Sequence, residues 1–129
     1  MIDDSWVVID KLKDVLAAAG YQVRTTTGAL GAAKLIRGTD LCIVDFHMPV
    51  YDGAEMTKLL RSEGHADSGC LFYLYTSDPD VATRYAEHGF DGSFLRKGDE
   101  QALLPQVEAV FRTIRMRKLA QKMRDQRRF

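Results

Sequence analysis

Two short runs of apolar residues most constrain how this chain can fold. Residues 41–44 read Leu-Cys-Ile-Val and end at Asp45, and residues 71–75 read Leu-Phe-Tyr-Leu-Tyr and end at Thr76. An unbroken apolar run of this length is typical of a strand covered on both faces, because a strand with one wet face alternates apolar and polar side chains. The runs therefore predict buried strands of a sheet with helices on both faces.

Helical patterns alternate with these strands along the chain. Apolar spacing and the positions of Gly and Pro predict helices at 5–19, 29–36, 54–62, 79–88 and from about 100 onward, and further strands at 21–26 and 93–95. Ser5 is the expected N-cap of the first helix. Strands that alternate with helices imply right-handed crossovers and a parallel sheet. We therefore predict a doubly wound α/β domain.

Length and composition fit one such domain. The chain has 129 residues, of which 46% are apolar and 28% are charged, as in an average globular protein. No stretch approaches the roughly 20 apolar residues of a spanning helix, and a basic-then-apolar leader is not apparent. We therefore expect a cytoplasmic domain with no membrane contact. Cys42 and Cys70 lie in apolar runs, which favours buried, reduced thiols.

The net charge of zero conceals a basic end. Residues 112–129 hold eight of the 18 basic side chains and one acid, Asp125. Such a segment is suited either to contact with nucleic acid, anionic lipid or an acidic partner, or to a solvated terminal helix. Because aromatic residues are not interleaved with the basic ones, we favour the solvated helix and expect no nucleic-acid partner. Leu119 and Met123 continue one helical stripe, which is typical of a linker or of a helix that forms a homodimer.

Polar residues close the predicted strands. They are Asp3, Asp4, Asp45, Thr76, Ser77 and Lys97. We expect them to converge, because the ligand crevice of a parallel sheet lies beyond the carboxyl ends of its strands. Three carboxylates this close repel one another unless a hard cation such as Mg²⁺ or a lysine offsets their charge. With one carboxylate as nucleophile and a hydroxyl and an ammonium group beside it, the set is suited to phosphoryl transfer.

Most of these residues also have a purely structural interpretation. Asp3-Asp4 and Thr76-Ser77-Asp78 are each suited to capping a helix, and Lys97-Gly98-Asp99 is suited to an ordinary turn. Asp45 differs from them, because a carboxylate directly after four apolar strand residues needs a partner if it is buried. The sequence therefore points to Asp45 as the centre of a site.

The segment around Asp45 resembles a known family. Residues 43–53 read Ile-Val-Asp-Phe-His-Met-Pro-Val-Tyr-Asp-Gly and look like the phospho-acceptor segment of bacterial response-regulator receiver domains. Asp3-Asp4 resembles the acidic pair of that family, Tyr75-Thr76-Ser77 its hydroxyl position, and Phe94-Leu95-Arg96-Lys97 its aromatic and lysine positions. The order and separations fit over about residues 1–115.

The resemblance implies a flavodoxin-like fold with a five-stranded parallel sheet in the order 2-1-3-4-5. It also implies that Asp45 accepts a phosphoryl group from a phosphohistidine of a histidine kinase or phosphotransfer protein. Mg²⁺ would be held by Asp3, Asp4, Asp45 and the backbone carbonyl of His47. We interpret the His47 side chain itself as a loop residue beside the site and not as a metal ligand.

By the same resemblance, Lys97 neutralises the phosphoryl group, Thr76 swings toward it, and Phe94 follows inward. The surface bound by a downstream output protein or domain then changes, which is a population shift driven by contacts to the phosphoryl group. The chain would be a signalling switch and not an enzyme, apart from Mg²⁺-dependent self-phosphorylation and dephosphorylation. We expect the domain at 1–115 and a basic helical extension or linker at 116–129, in either a stand-alone regulator or part of a longer protein.

Two features depart from the family pattern. Only Met1-Ile2 precedes the acidic pair, where the family has four or five apolar residues, so the first strand is nearly missing. We expect a late start or a truncation or, in the chain as written, reduced stability, a shifted acidic pair, or a neighbouring chain that fills the gap. Gly98 follows Lys97, where the family has a cis proline, so we expect a trans bond and a more mobile loop.

Two other functions compete with a phosphorylated receiver. A receiver-like module binds partners without being phosphorylated, and the intact set of Asp45, Thr76 and Lys97 argues against it. An aspartyl-phosphate hydrolase on a similar sheet normally carries a second acid two residues after its nucleophile, and here that residue is His47. The phosphorylated receiver is therefore the leading hypothesis.

Overall fold

The computed structural model describes residues 1–127, and it has a parallel sheet with helices packed on both faces. Its elements in chain order are α1 (Trp6–Ala18), α2 (Ala29–Leu35), β1 (Leu41–Val44), α3 (Gly53–Ser62), β2 (Leu71–Tyr75), α4 (Pro79–Thr83), β3 (Gly92–Phe94) and α5 (Glu100–Arg127). The doubly wound α/β class predicted from the sequence is confirmed. Arg128 and Phe129, the last two residues of the predicted extension, lie outside the described residues.

The sheet has three strands in the order β1-β2-β3 over the described residues. All pair in parallel, with Leu41 opposite Leu71 and Tyr73 opposite Gly92. Both buried runs therefore form strands with the bounds that the sequence predicts. The bounds of such strands are readable from the sequence, because a strand that is buried on both faces requires an unbroken run of apolar residues.

The strand predicted at 21–26 does not form, and the first strand, which was expected to be short or truncated, is reduced to isolated bridges. Only single parallel bridges occur there, with Ile2 between Thr26 and Val44. The Ile2 N–H donates to the Ile43 carbonyl at 2.8 Å, and the Ile2 carbonyl accepts from the Asp45 N–H at 2.9 Å. Residues 21–25 form no ladder, because a ladder needs several paired residues and only Met1 and Ile2 lie beside this segment. Over the described residues the sheet thus has three strands and two isolated bridges, and the five-strand order 2-1-3-4-5 is not confirmed.

The core lies in two layers, one on each face of the sheet, because successive strand residues point to opposite faces. Cys42, Val44, Phe72 and Leu74 pack against α2 and α3 on one face. The opposite layer lies under α1 and α5, and its members are Leu12, Leu16, Ile43, Tyr75, Phe94, Leu103, Val107, Val110 and Ile114. Both faces are covered, as the unbroken apolar runs require.

Helix boundaries follow local chemistry. Ser5 is the N-cap of α1, as predicted, and its hydroxyl accepts from the Val8 N–H at 3.4 Å. The helix predicted at 79–88 ends instead at Thr83. Beyond it the amides of Glu87 and His88 bond to carbonyls three residues back, so the chain continues as tight turns.

Helix α5 extends well past the sheet as one continuous element. Met116, Leu119 and Met123 are exposed on it, and Lys118 pairs with Asp40 at 2.8 Å, immediately before β1. Within residues 1–127, none of the helices combines the length and the apolar character needed to cross a bilayer.

Candidate functional site

Four polar side chains converge at the carboxyl ends of the strands. Asp45 directly follows β1, Thr76 follows β2, Lys97 lies three residues after β3, and Asp3 follows the bridging Ile2. Asp3, Asp45 and Thr76 are buried, with 1%, 8% and 7% of their surface exposed. The strand-end rule therefore predicts correctly where these residues lie.

Lys97 joins the two buried carboxylates. Its Nζ donates to Asp3 Oδ2 at 2.9 Å and to Asp45 Oδ1 at 2.8 Å. Burial alone lowers the pKa of Lys97, but the hydrogen bonds and charges of Asp45 and Asp3 outweigh burial and raise it above the usual value. Arg96 adopts a positive φ of 64°, which turns the chain after β3 and directs Lys97 back over the strand ends.

Asp45 is held at one oxygen. Besides Lys97, its Oδ1 accepts from the Phe46 N–H at 2.9 Å. Burial raises the pKa of the Asp45 carboxyl, while Lys97 opposes that rise. Asp3 is held at both oxygens, because its Oδ1 accepts from the Ser5 N–H at 2.9 Å and its Oδ2 accepts from Lys97. Each buried carboxylate thus has the partners that its burial requires.

The acidic residues predicted to hold a metal come together. Oxygens of Asp3, Asp4 and Asp45 all lie within 4.8 Å of one another, and Asp4 is exposed at the mouth of the cluster. All the donors are carboxylate oxygens, the type that Mg²⁺ prefers, and the exposed side leaves room for the waters that Mg²⁺ retains. The residues therefore fit the predicted ion.

Thr76 lies at the edge of the site in a separate hydrogen-bond network. Its Oγ1 accepts from the Asp78 N–H at 3.1 Å, and Asp78 is the N-cap of α4. The capping interpretation is therefore correct for Asp78. His47 Nε2 lies 3.0 Å from Asp78 Oδ2, and this hydrogen bond lowers the pKa of Asp78. The side chains of His47 and Ser77 are exposed and outside the acidic cluster.

The aromatic and glycine positions have defined conformations. Phe94 is buried in this structure and stacks on Tyr73 with ring centroids 4.7 Å apart. Its movement on phosphorylation therefore stays a prediction. The bond between Lys97 and Gly98 is trans, as expected, and Gly98 has a φ of 103°.

Sequence reasoning missed the contribution of Gly53. A Cβ at this position would lie 2.4 Å from the Asp45 carbonyl oxygen, and the Gly53 N–H donates to the Phe46 carbonyl at 2.8 Å. Glycine thus lets the start of α3 press against the backbone of the site. The available signal was the Asp52-Gly53 pair, whose aspartate caps α3 through a capping box with Glu55.

Fold and site together define a doubly wound α/β domain with a buried, lysine-bound aspartate in an acidic crevice. A sequence model described as the response regulator receiver domain matches residues 1–108. The chain therefore belongs to the response regulator receiver domain family, a family of two-component signalling.

Two solved structures and one curated protein are also similar to this chain. The chemotaxis protein CheY4 of Vibrio cholerae has a TM-score of 0.72 and 24% identity, covering 84% of this chain and 93% of its own. The response regulator StyR has a TM-score of 0.73 and 26% identity, covering 97% of this chain and 64% of its own. The peroxide stress-activated histidine kinase mak3 of Schizosaccharomyces pombe is 38% identical over 53 residues, or 38% of this chain and 2% of the kinase. The chain thus spans a small part of that kinase.

Proposed function

We propose that this domain accepts a phosphoryl group on Asp45 from a phosphohistidine of a histidine kinase or phosphotransfer protein. The observation that carries the proposal is a buried aspartate with one oxygen bound and the other free. Asp45 Oδ1 has two donors, Lys97 and the Phe46 amide, whereas Oδ2 accepts no hydrogen bond from residues 1–127. The free oxygen is therefore the nucleophile.

The transfer balances without any further reactant. As Asp45 Oδ2 bonds to phosphorus, the P–N bond of the phosphohistidine breaks, and its electron pair stays on the imidazole, which takes up a proton. Lys97 already lies 2.8 Å from Asp45 and offsets the charge of the phosphoryl oxygens. The Thr76 hydroxyl accepts from Asp78 in this structure, so its own proton is available to a phosphoryl oxygen.

The acidic cluster supports a role for magnesium. Asp3, Asp4 and Asp45 would hold the ion, and the backbone carbonyl of His47 completes the proposed set. When bound, Mg²⁺ supplies positive charge where the carboxylates and the phosphoryl oxygens meet. The buried Asp3 and the exposed Asp4 offer it one fixed and one adaptable ligand.

The proposed output is a change of surface. Thr76 lies directly before the N-cap of α4, and Phe94 lies at the end of β3 under α5. Movement of Thr76 toward the phosphoryl group would disturb the Asp78 cap, and Phe94 would repack beside it. A downstream protein or domain that binds α4, β3 and α5 would read that difference. The basic part of α5 is suited to connect such a domain.

The test is incubation of the full chain with Mg²⁺ and acetyl phosphate, followed by intact-mass measurement. We expect a mass increase of one phosphoryl group that is acid-stable and alkali-labile, as for an acyl phosphate. Asp45→Asn should abolish it. Asp40→Asn is the matched control, because Asp40 lies at the other end of β1 and is partly exposed.

Two negative results together would indicate a phosphorylation-independent interaction module: no mass increase with acetyl phosphate, and no spectral change of the protein with beryllium fluoride. Equal incorporation by the Asp45→Asn variant would place the acceptor elsewhere. Incorporation followed by rapid turnover of many equivalents of acetyl phosphate would favour the hydrolase.

A further inference from the structure

The segment that leads from β3 to Lys97 has no buried side chain of its own. Leu95 and Arg96 form this segment, directly after the end of β3. The Leu95 side chain is 64% exposed, and the Arg96 side chain is exposed as well. Arg96 has a φ of 64°, a conformation that residues other than glycine rarely adopt. The path of the backbone toward Lys97 is therefore fixed by something other than burial of these side chains.

Gln106 on α5 provides an anchor for this segment. The Leu95 N–H donates to Gln106 Oε1 at 2.8 Å, and Gln106 Nε2 donates to the Leu95 carbonyl at 3.0 Å. The same nitrogen donates to the Ala102 carbonyl at 2.9 Å, one turn earlier in α5. Both hydrogens of the amide nitrogen thus have carbonyl partners, and the reversed amide would place its oxygen against those two carbonyls. Gln106 therefore holds Leu95 in one defined orientation.

The other end of the segment is also attached to α5. The Asp99 N–H donates to the Arg96 carbonyl at 3.0 Å, and Asp99 Oδ1 accepts from the Ala102 N–H at 3.1 Å, at the start of α5. The backbone of Lys97 lies between the two attachment points, Leu95 and Asp99. Because α5 packs on the sheet through its buried apolar residues, both points are fixed relative to the strand ends.

We propose that Gln106 is a positioning residue for the phosphoryl transfer to Asp45. By holding the Leu95 backbone, it keeps the Lys97 ammonium group within hydrogen-bond distance of Asp45, where the two atoms are 2.8 Å apart. This role rests on the function proposed for Asp45. A charge that offsets the phosphoryl oxygens acts only from the right place, and a displacement of about 1 Å can lower a rate by about a hundredfold. Gln106 thus acts through the lysine and not on the phosphoryl group itself.

Loss of the anchor would release the strained backbone at Arg96. A residue other than glycine keeps a left-handed conformation only where its surroundings enforce it. Without the bonds from Gln106, Arg96 would relax toward an ordinary negative φ, and the direction of Lys97 would change with it. Asparagine tolerates the left-handed region better than arginine does, so Asn at position 96 would reduce the need for the anchor.

The first test compares two glutamines of the same helix. Gln106→Met keeps an unbranched side chain of similar length and removes all three hydrogen bonds. Gln101→Met is the matched control, because Gln101 is exposed in the first turn of α5. With the full chain, Mg²⁺ and acetyl phosphate, Gln106→Met should lower the rate of phosphoryl incorporation about tenfold, and Gln101→Met should leave it unchanged. Gln106 is half-buried and outside the core, so both variants should fold, which their melting curves check.

A second change separates positioning from a general loss of stability. Arg96→Asn, added to Gln106→Met, should restore the incorporation rate by about threefold or more, because asparagine adopts the left-handed conformation more readily. Arg96 is exposed, so the change removes no packing. A variant that had only loosened α5 would gain nothing from a different residue in this segment.

The Lys97 ammonium group gives a readout that needs no phosphoryl group. In the wild type it is 13% exposed and donates to two carboxylates, so its ¹⁵Nζ resonance should be separate from those of the exposed lysines. Gln106→Met should broaden this resonance or move it toward that of an exposed lysine. Gln101→Met should leave it in place.

Three results would decide against these proposals. Equal incorporation rates in the two methionine variants would overturn the role of Gln106. A defect of Gln106→Met that Arg96→Asn does not relieve would overturn it as well, because the effect would then not pass through the backbone at Arg96. A wild-type chain that gains no phosphoryl group would instead refute the function proposed for Asp45, and the Lys97 resonance alone would then decide whether Gln106 positions the lysine.

Discussion

The two sides of β1 differ in how firmly the sheet is built. On one side, four residues from Leu41 to Val44 pair in register with β2. On the other, Ile2 alone bridges to Val44, and a groove lies where the pairing stops. The site draws on both sides: Asp45, Thr76 and Lys97 follow the paired strands, whereas Asp3 follows the single bridge. Asp45, Thr76 and Lys97 are thus better anchored in the sheet than Asp3.

The largest expected effect tests this difference in packing. Phe72 is fully buried in β2, and Phe72→Ala should lower the free energy of unfolding by about 3–5 kcal/mol through lost burial and a cavity. Val23 is half-buried beside the groove, so Val23→Ala should cost about 1 kcal/mol or less. Urea unfolding measures both. Equal losses would mean that the groove side is as well packed as the β2 side.

The next effect concerns Lys97, which donates hydrogen bonds to Asp45 at the end of β1 and to Asp3 after the bridging Ile2. Lys97→Met leaves Asp3 and Asp45 buried without a cation, so the free energy of unfolding should fall by about 3 kcal/mol at neutral pH. Added Mg²⁺ should restore most of the loss if the carboxylates hold it. Asp3→Asn combined with Lys97→Met should lose less than the single change, because one buried charge is then absent.

The pH dependence of this loss has a defined sign. The folded-state pKa of Lys97 is raised above its ordinary value of 10.5, so its contribution is fully present below that value. It disappears as the pH rises through the raised pKa, where the neutral amine no longer offsets the carboxylates. The difference between wild type and Lys97→Met should therefore shrink in alkaline solution. A difference that stays constant above pH 10.5 would exclude the charge as its cause.

The same asymmetry explains how far the sequence predicts the fold. The runs at Leu41–Val44 and Leu71–Tyr75 specify their own strands, because burial on both faces needs only apolar side chains. Residues 21–26 have β propensity, but a strand also needs a neighbour, and the line of Ile2 is too short to provide one. The end of α4 at Thr83 was missed, because tight turns and helix share the same apolar spacing there.

The site divides in a similar way. Asp45, Lys97 and Asp3 were predictable together, because strand order alone brings strand ends to one edge. The bridge of Lys97 to both carboxylates depends on the positive φ of Arg96, and the contact between His47 and Asp78 depends on loop geometry. Neither leaves a pattern in the sequence, because a positive φ at an arginine and a contact between two loops are set by the tertiary structure and not by local residue preference.

A smaller effect is expected in the rates at which individual backbone amides exchange with solvent. The Thr26 N–H donates to the Met1 carbonyl at 3.0 Å, and the Leu71 N–H donates to the Asp40 carbonyl at the same distance. Because the first bond belongs to an isolated bridge and the second to a ladder, the Thr26 amide should exchange with solvent at least about tenfold faster than the Leu71 amide. Native-state hydrogen exchange measures this ratio, corrected for intrinsic rates. Equal protection would show that the bridge opens only with the whole domain.

The smallest effect concerns the ion pair that fastens α5 beside the groove. Lys118 and Asp40 lie 2.8 Å apart, but their side chains are 67% and 44% exposed, so solvent screens the pair. Lys118→Ala should change the free energy of unfolding by less than about 0.5 kcal/mol, and a double-mutant cycle with Asp40→Asn should show a coupling that declines with added salt. A coupling above about 1 kcal/mol would mean that α5 supports the weak side of β1, since Asp40 also begins the ladder with β2 through its carbonyl. The basic extension would then be a structural part of the domain, and the boundary expected near residue 115 would move toward the C-terminus.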